Sequence, residues 1–187
     1  MRFRTGAFAA ALVLGSLFGA GSTFAGDSHP FSARQGESLA RSAAAAWAAD
    51  AQLVYVENDE ALDGGGTADR WGYLFWSEAR QEGRAYSVRD GKIRTATDLG
   101  FEFPAPPLDS GWIDSGAALA AADEKKGNAY RTEHGGKLRS MVLVRGLLNP
   151  DSPDATTWAV VYESESASGL WVVVDARDGK VVKTWRG

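Results

Sequence analysis

Two histidines, scattered carboxylates and seven tryptophans are the residues from which any chemistry of this 187-residue chain must come. It has no cysteine, which excludes thiol nucleophiles, disulfides and cysteine-ligated zinc. A Ser-His-Asp arrangement needs an oriented imidazole. His29 stands in a polar leader and His134 in the polar segment Glu133-His134-Gly135-Gly136, and both are read as solvated. No serine is followed by lysine three residues later, so that nucleophile–base pair is absent too. Glu57, Asp59, Glu60 and Asp63 offer the hard oxygen ligands calcium prefers, but their spacing does not match an EF-hand loop. They are read as a solvated acidic loop. No Gly-Lys pair completes a phosphate-binding loop, and Gly64-Gly65-Gly66 does not lie between a strand and a helix as a dinucleotide motif requires. The expectation is therefore a protein with no catalytic residue, no cofactor and no metal. It is not read as an enzyme.

The tryptophans carry more information. Alternate residues of a strand share a face. Trp158, Val160 and Tyr162 share one, and Trp71, Tyr73 and Phe75 are placed equivalently, so this face is assigned to the core; Arg84 falls on it as well. The opposite face then carries Leu74, Trp76, Val161, Trp171 and Val173, the candidate partner-binding residues. Burying ~200 Å² of one Trp is worth roughly 5 kcal/mol before entropy and polar losses. Such a face calls for a cover: the rest of the chain, a protein partner, or a carbohydrate ring.

The elements that position these residues follow from period and punctuation. Ser32 with Gln35 fits a capping box opening a helix through Leu39, Ala43 and Trp47. Strands are expected over Leu53–Glu57, Trp71–Trp76 and Arg84–Val88, with a mobile loop at 58–69 and a short strand around Ile93. Three prolines in Phe101–Gly111 oppose both helix and central strand and mark a boundary. Asp114 or Ser115 caps a second helix ending by Gly127; Asn128–Gly136 is polar and ambiguous. Leu138–Val144 and three short runs between Thr156 and Trp185 complete an antiparallel meander.

Arg2 and Arg4, the uncharged run Ala7–Phe18 and the ending Thr23-Phe24-Ala25 make residues 1–25 a secretory signal peptide, with cleavage before Gly26. Its removal leaves 18 basic against 24 acidic residues, a net charge of −6. An acidic domain without a basic stripe argues against nucleic acid and against an anionic membrane surface. Without cysteine, lipid attachment to a thiol is excluded and no stable membrane insertion is expected after cleavage. The exported product is placed in the periplasm or outside the cell.

The tetrapeptide RDGK occurs at Arg89–Lys92 and Arg177–Lys180, eighteen and nineteen residues after Trp71 and Trp158, and Leu53–Val56 matches Met141–Val144. Duplication explains this, and the fold class expected is α+β. Two tandem units would follow the signal peptide, at 26–103 and 112–187 around a linker at 104–111, each a helix packed on a three- to four-stranded antiparallel meander.

A helix followed by such a meander ending in V-D-A-R-D-G-K-V resembles the PepSY family, through Trp158–Tyr162, Trp171–Asp175 and Asp178–Val181, and less fully through Trp71–Ile93. The resemblance implies an exported module that restrains or binds a secreted peptidase. The layout is also similar to that of secreted beta-lactamase inhibitory proteins, whose sheet surface grips an enzyme. The Gly-rich insertion at 58–69 and the segment 128–136 depart from the family pattern. The function expected is noncatalytic binding of a protein through the apolar sheet face. A structural envelope role, carbohydrate binding and a carboxylate-dependent hydrolase are the alternatives, and oligomeric state is left open.

Overall fold

The computed structural model describes residues 29–100, 106–146, 148–149 and 151–187. The signal segment and the first part of the proline-rich linker lie outside the described residues. Helix α1 (Ala33–Trp47) is followed by β1 (Gln52–Asn58), β2 (Arg70–Ser77), β3 (Glu82–Arg89) and β4 (Lys92–Asp98). Helix α2 (Ser115–Ala122) runs through a π-helical turn at Asp123–Gly127 into α3 (Asn128–His134). Strands β5 (Lys137–Arg145), β6 (Thr156–Glu163), β7 (Leu170–Asp175) and β8 (Val181–Arg186) complete the chain.

These strands form one antiparallel sheet of eight, in the order β4-β3-β2-β1-β5-β6-β7-β8. The expectation of two separate helix-on-meander units is thereby corrected. Strands β1 and β5, each an edge of its own meander, pair through Tyr55↔Val144, Val56↔Leu143 and Glu57↔Val142. An unpaired edge leaves a row of unsatisfied amides and carbonyls, and mutual pairing removes both edges at once. The segments read as copies of each other are thus direct neighbours across the seam.

Both helices lie on the same face of the sheet: α1 against β1–β4, and α2 against β6 and β7. Trp71, Tyr73, Phe75, Trp158, Val160 and Tyr162 all point to this side and are buried in a single cluster. Trp158 is its centre, meeting Trp71 edge-on at 6.2 Å and Trp112 at 5.8 Å. The indole N–H groups of Trp71 and Trp158 donate to the carbonyls of Phe31 and Ile113, just ahead of the two helices. Arg84 stays on this face at its rim, its guanidinium 5.9 Å from the Trp47 ring and 3.5 Å from Asp98.

The helix starts meet each other. Gln35 Oε1 accepts from Ser32 N, the return half of the expected box, while Ser32 Oγ donates outward to Asp114 Oδ2 at 2.6 Å. Asp114 Oδ1 also accepts from Arg34 N and Ser115 N, so one carboxylate caps both helices. The second helix does not stop at Gly127 but continues to His134, where Gly135 takes a left-handed conformation at φ +61°. The loop at 58–69, expected to be mobile, is held by an Ala68–Phe31 bridge and by three hydrogen bonds to Asp63.

Candidate functional site

Neither helix covers the other face of the sheet, and the candidate site is built there. Strand register places Leu74 and Trp76 of β2 opposite Ala85 and Gly83 of β3 on that side. It places Val161 opposite Trp171, and Val173 opposite Ala159, on the same side. All five sequence-predicted residues therefore share this outer face, in two groups separated by β1 and β5. Leu74 and Val173 are buried among neighbouring side chains, while Trp76, Val161 and Trp171 are half-buried. Leu74 packs with Val54, Tyr55, Ala85 and Val144, and Leu99 and Leu148 close over part of this small second cluster.

The aromatic flank lies on the far side. Trp171 and Trp185 stack at 5.4 Å with an interplanar angle of 13°, and Lys183 Nζ stands 5.2 Å from the Trp185 ring. Val173, Ala159 and Val142 form a low floor between this stack and β1. On the near side, Trp76 donates its indole N–H to Glu78 at 3.2 Å. The face is thus a low floor of small and branched residues between Trp76 on β2 and the Trp171–Trp185 stack on β7 and β8, at the far side of the sheet.

Between the tryptophans lies a polar patch of Tyr55 with Glu57, Asp59 and Glu60, three of the four acids expected to form a solvated loop. Tyr55 Oη donates to Glu57 Oε2 at 2.9 Å. Desolvation is the main cause raising both groups above their ordinary values. It also pushes Asp59 up to about 7, with the Glu57 charge as the next cause. Glu60 Oε1 is held by Arg89 at 2.9 Å and Arg70 at 3.3 Å. Asp63 turns onto its own loop, where bonds from Thr67 and Gly65 hold its pKa low. The four carboxylates therefore do not converge, and among the described residues no group of three or more acids or histidines is arranged to hold a metal.

One signal in the sequence could have located the patch. Gly72 interrupts the aromatic run of β2, and a glycine inside a strand marks the close approach of another group. Here that group is Asp59.

Neither histidine is set up for proton transfer with a serine. His134 Nε2 lies 3.1 Å from Arg186 Nη2, while Ser164 and Ser166 bond to the His134 backbone carbonyl and not to its ring. His29 is exposed. A separate cleft of about 470 Å³ lies between Gly64 and Gly65 of the loop and Leu119, Asp123 and Asn128 of the second helix.

No protein-family model and no curated protein matches the chain. Among solved structures, it is similar to one described as a "putative lipoprotein" from Clostridium difficile 630. The TM-score is 0.57 at 12% identity, over 81% of this chain and 92% of the other. At that identity the likeness is one of fold. Among the described residues no helix is long and apolar enough to cross a membrane.

Proposed function

We propose that this chain is an exported, noncatalytic binding protein that receives a protein partner on the helix-free face of its sheet. The observation that carries the reading is the outer face itself, with half-buried Trp76, Trp171 and Trp185 around a floor of small and branched side chains. Tryptophan in such a setting is the residue type most enriched among interface hot spots. The PepSY-like order of elements supports export and a peptidase as the first partner class to test. The lipoprotein name of the structural neighbour supports an envelope setting, although these 187 residues include no cysteine to carry a lipid.

The reading is tested by mixing the purified protein with a panel of secreted peptidases and following complex formation and substrate cleavage. A stable complex with at least one member is expected. Trp171→Ala should weaken it about ten-fold, as loss of ~1.4 kcal/mol of contact implies, with little change in Tm. A large fall in Tm would instead assign Trp171 to the fold, and no complex with any member would sink the peptidase reading.

A further inference from the structure

The last strand of the sheet has an open edge. Strand β8 pairs with β7, and among the described residues no strand pairs with its other side. Val182, Lys183, Thr184 and Arg186 are exposed along it. Gly187 N donates to Gly169 O at 3.1 Å, so this amide points at β7. Alternate residues of an antiparallel strand direct their backbone groups to opposite sides. Lys183 and Trp185 therefore also turn toward β7, while Thr184 and Arg186 turn outward. The register shift of the pair falls at Val182, since Lys183 faces Val173 and Val181 faces Val174. Residues 183–187 are thus a regular stretch with outward amides and carbonyls, a template for one more strand.

The side chains say which strand fits. Trp185 lies opposite Trp171, and the two rings stack at 5.4 Å with planes 13° apart. That separation is close to the ~4.8 Å between neighbouring strands, so the stack runs across the strands and the far face of Trp185 looks off the edge. A tryptophan on an added strand would continue it. A second β8 related by a two-fold axis supplies one. Registers centred on Lys183 or Arg186 set like charges directly opposite, which is destabilising. A register centred on Thr184 draws in the shifted Val182. Centring on Trp185 sets that residue opposite its own copy, Thr184 opposite Arg186 and Lys183 opposite Gly187, with no like charges opposed. Its hydrogen bonds run between Thr184 and Arg186, the residues whose backbone groups point outward. Gly187 also leaves room for Lys183, whose ammonium stands 5.2 Å from the Trp185 ring. The other edge strand, β4, has no aromatic residue and carries Lys92, Arg94 and Asp98.

We infer that the protein forms a two-fold dimer by antiparallel pairing of β8 with β8 of a second copy, joining the Trp171–Trp185 stacks of both chains in one row of indoles. Such an interface uses the same patch on both chains and closes on itself. It concerns the edge of the sheet and stands apart from the docking reading for its face.

Sedimentation equilibrium over a range of concentrations tests the association, and the mass should rise from that of one chain to that of two. Thr184→Pro removes an outward N–H while leaving the bonds to β7, so it should fold and weaken the dimer about ten-fold or more. Ala96→Pro makes the same change on β4, where Leu99 N donates to Gly83 O and Ala96 turns outward, and should leave the dimer unchanged. Should the Thr184 variant not fold, Trp185→Lys reports instead, because it opposes two ammonium groups at the axis and should leave single chains. Disulfide trapping reads the register, and the cysteine-free sequence makes it unambiguous. Trp185→Cys should cross-link about ten-fold faster than Thr97→Cys on β4, because a residue facing its own copy brings two Cβ atoms within disulfide reach. A single-chain mass at every concentration, a dimer indifferent to the β8 variants, or equal cross-linking of the two cysteines would overturn the proposal. An empty peptidase panel leaves it standing.

Discussion

Asp114 accepts hydrogen bonds from Ser32 Oγ, Arg34 N and Ser115 N at 2.6, 3.0 and 2.7 Å, and so holds two helix starts at once. A single N-cap is worth about 1 kcal/mol and hydrogen bonds to a charged group about 1.5–3. Asp114→Ala is therefore expected to cost about 2–3 kcal/mol, read as a lower midpoint in urea with an unchanged slope. Asp59 acts in the opposite sense to a paired carboxylate. Its pKa is about 7 in the folded chain, raised chiefly by desolvation, against ~3.9 unfolded. Between these values the folded state binds the extra proton, so this contribution favours folding at acid pH and is lost as pH rises through about 7. Asp59→Asn should accordingly raise Tm at pH 8 and remove part of the Tm–pH slope between about 4 and 7. The difference between the two proteins isolates Asp59 from Asp63 and Asp175, whose lowered pKa values act the other way. An identical slope in both would show that Asp59 is not its source.

The π-helical turn at Asp123–Gly127 follows from what β6 presses against it. Tyr162 Oη donates to Asp123 Oδ1 at 2.6 Å, and Arg131 pairs with the same carboxylate. A Cβ at Gly127 would lie 2.3 Å from that hydroxyl oxygen and 2.5 Å from the ring. The glycine that looks like a helix stop is therefore a packing site within one helical run. Gly→Ala inside a helix ordinarily stabilises by about 1 kcal/mol. Here Gly127→Ala should instead destabilise by about 2 kcal/mol or more, through overpacking. Gly64→Ala, with nothing within 4 Å, should change stability by less than about 0.5 kcal/mol. Parallel urea titrations decide it, and equal midpoints for the two variants would remove the packing argument. Turns carry the same lesson. The first RDGK makes a two-residue hairpin with Asp90 and Gly91 both at positive φ. The second makes a longer turn, with Gly179 alone at positive φ and the Asp175 carboxylate gripped by Arg177. Identical tetrapeptides turn differently because Asp175 precedes one and Ser87 the other.

For the whole molecule, the seam between β1 and β5 has a thermodynamic consequence. A shared sheet and a shared tryptophan cluster leave no natural line along which half the chain could melt alone. Unfolding followed by far-ultraviolet CD and by Trp fluorescence should give coincident, single transitions. Leu143 is fully buried and pairs with Val56 across the seam. Leu143→Ala should lower the whole transition by about 3 kcal/mol without splitting it. Two resolved transitions would restore the picture of independent halves.

Strand and helix positions were largely legible in the sequence. Alternation of Trp71-Gly72-Tyr73-Leu74-Phe75-Trp76 and of Trp158–Tyr162 sorts side chains onto two faces wherever the strands sit, because period two is a property of the strand itself. The same alternation put Leu74, Trp76, Val161, Trp171 and Val173 on one face. It said nothing of which were already covered by neighbours. Which edges meet is a matter of backbone amides and carbonyls, which every residue carries alike, so no side-chain pattern announces the β1–β5 seam. Asp114 between two helices likewise joins segments far apart in the chain, and only the folded arrangement brings such groups within hydrogen-bonding range.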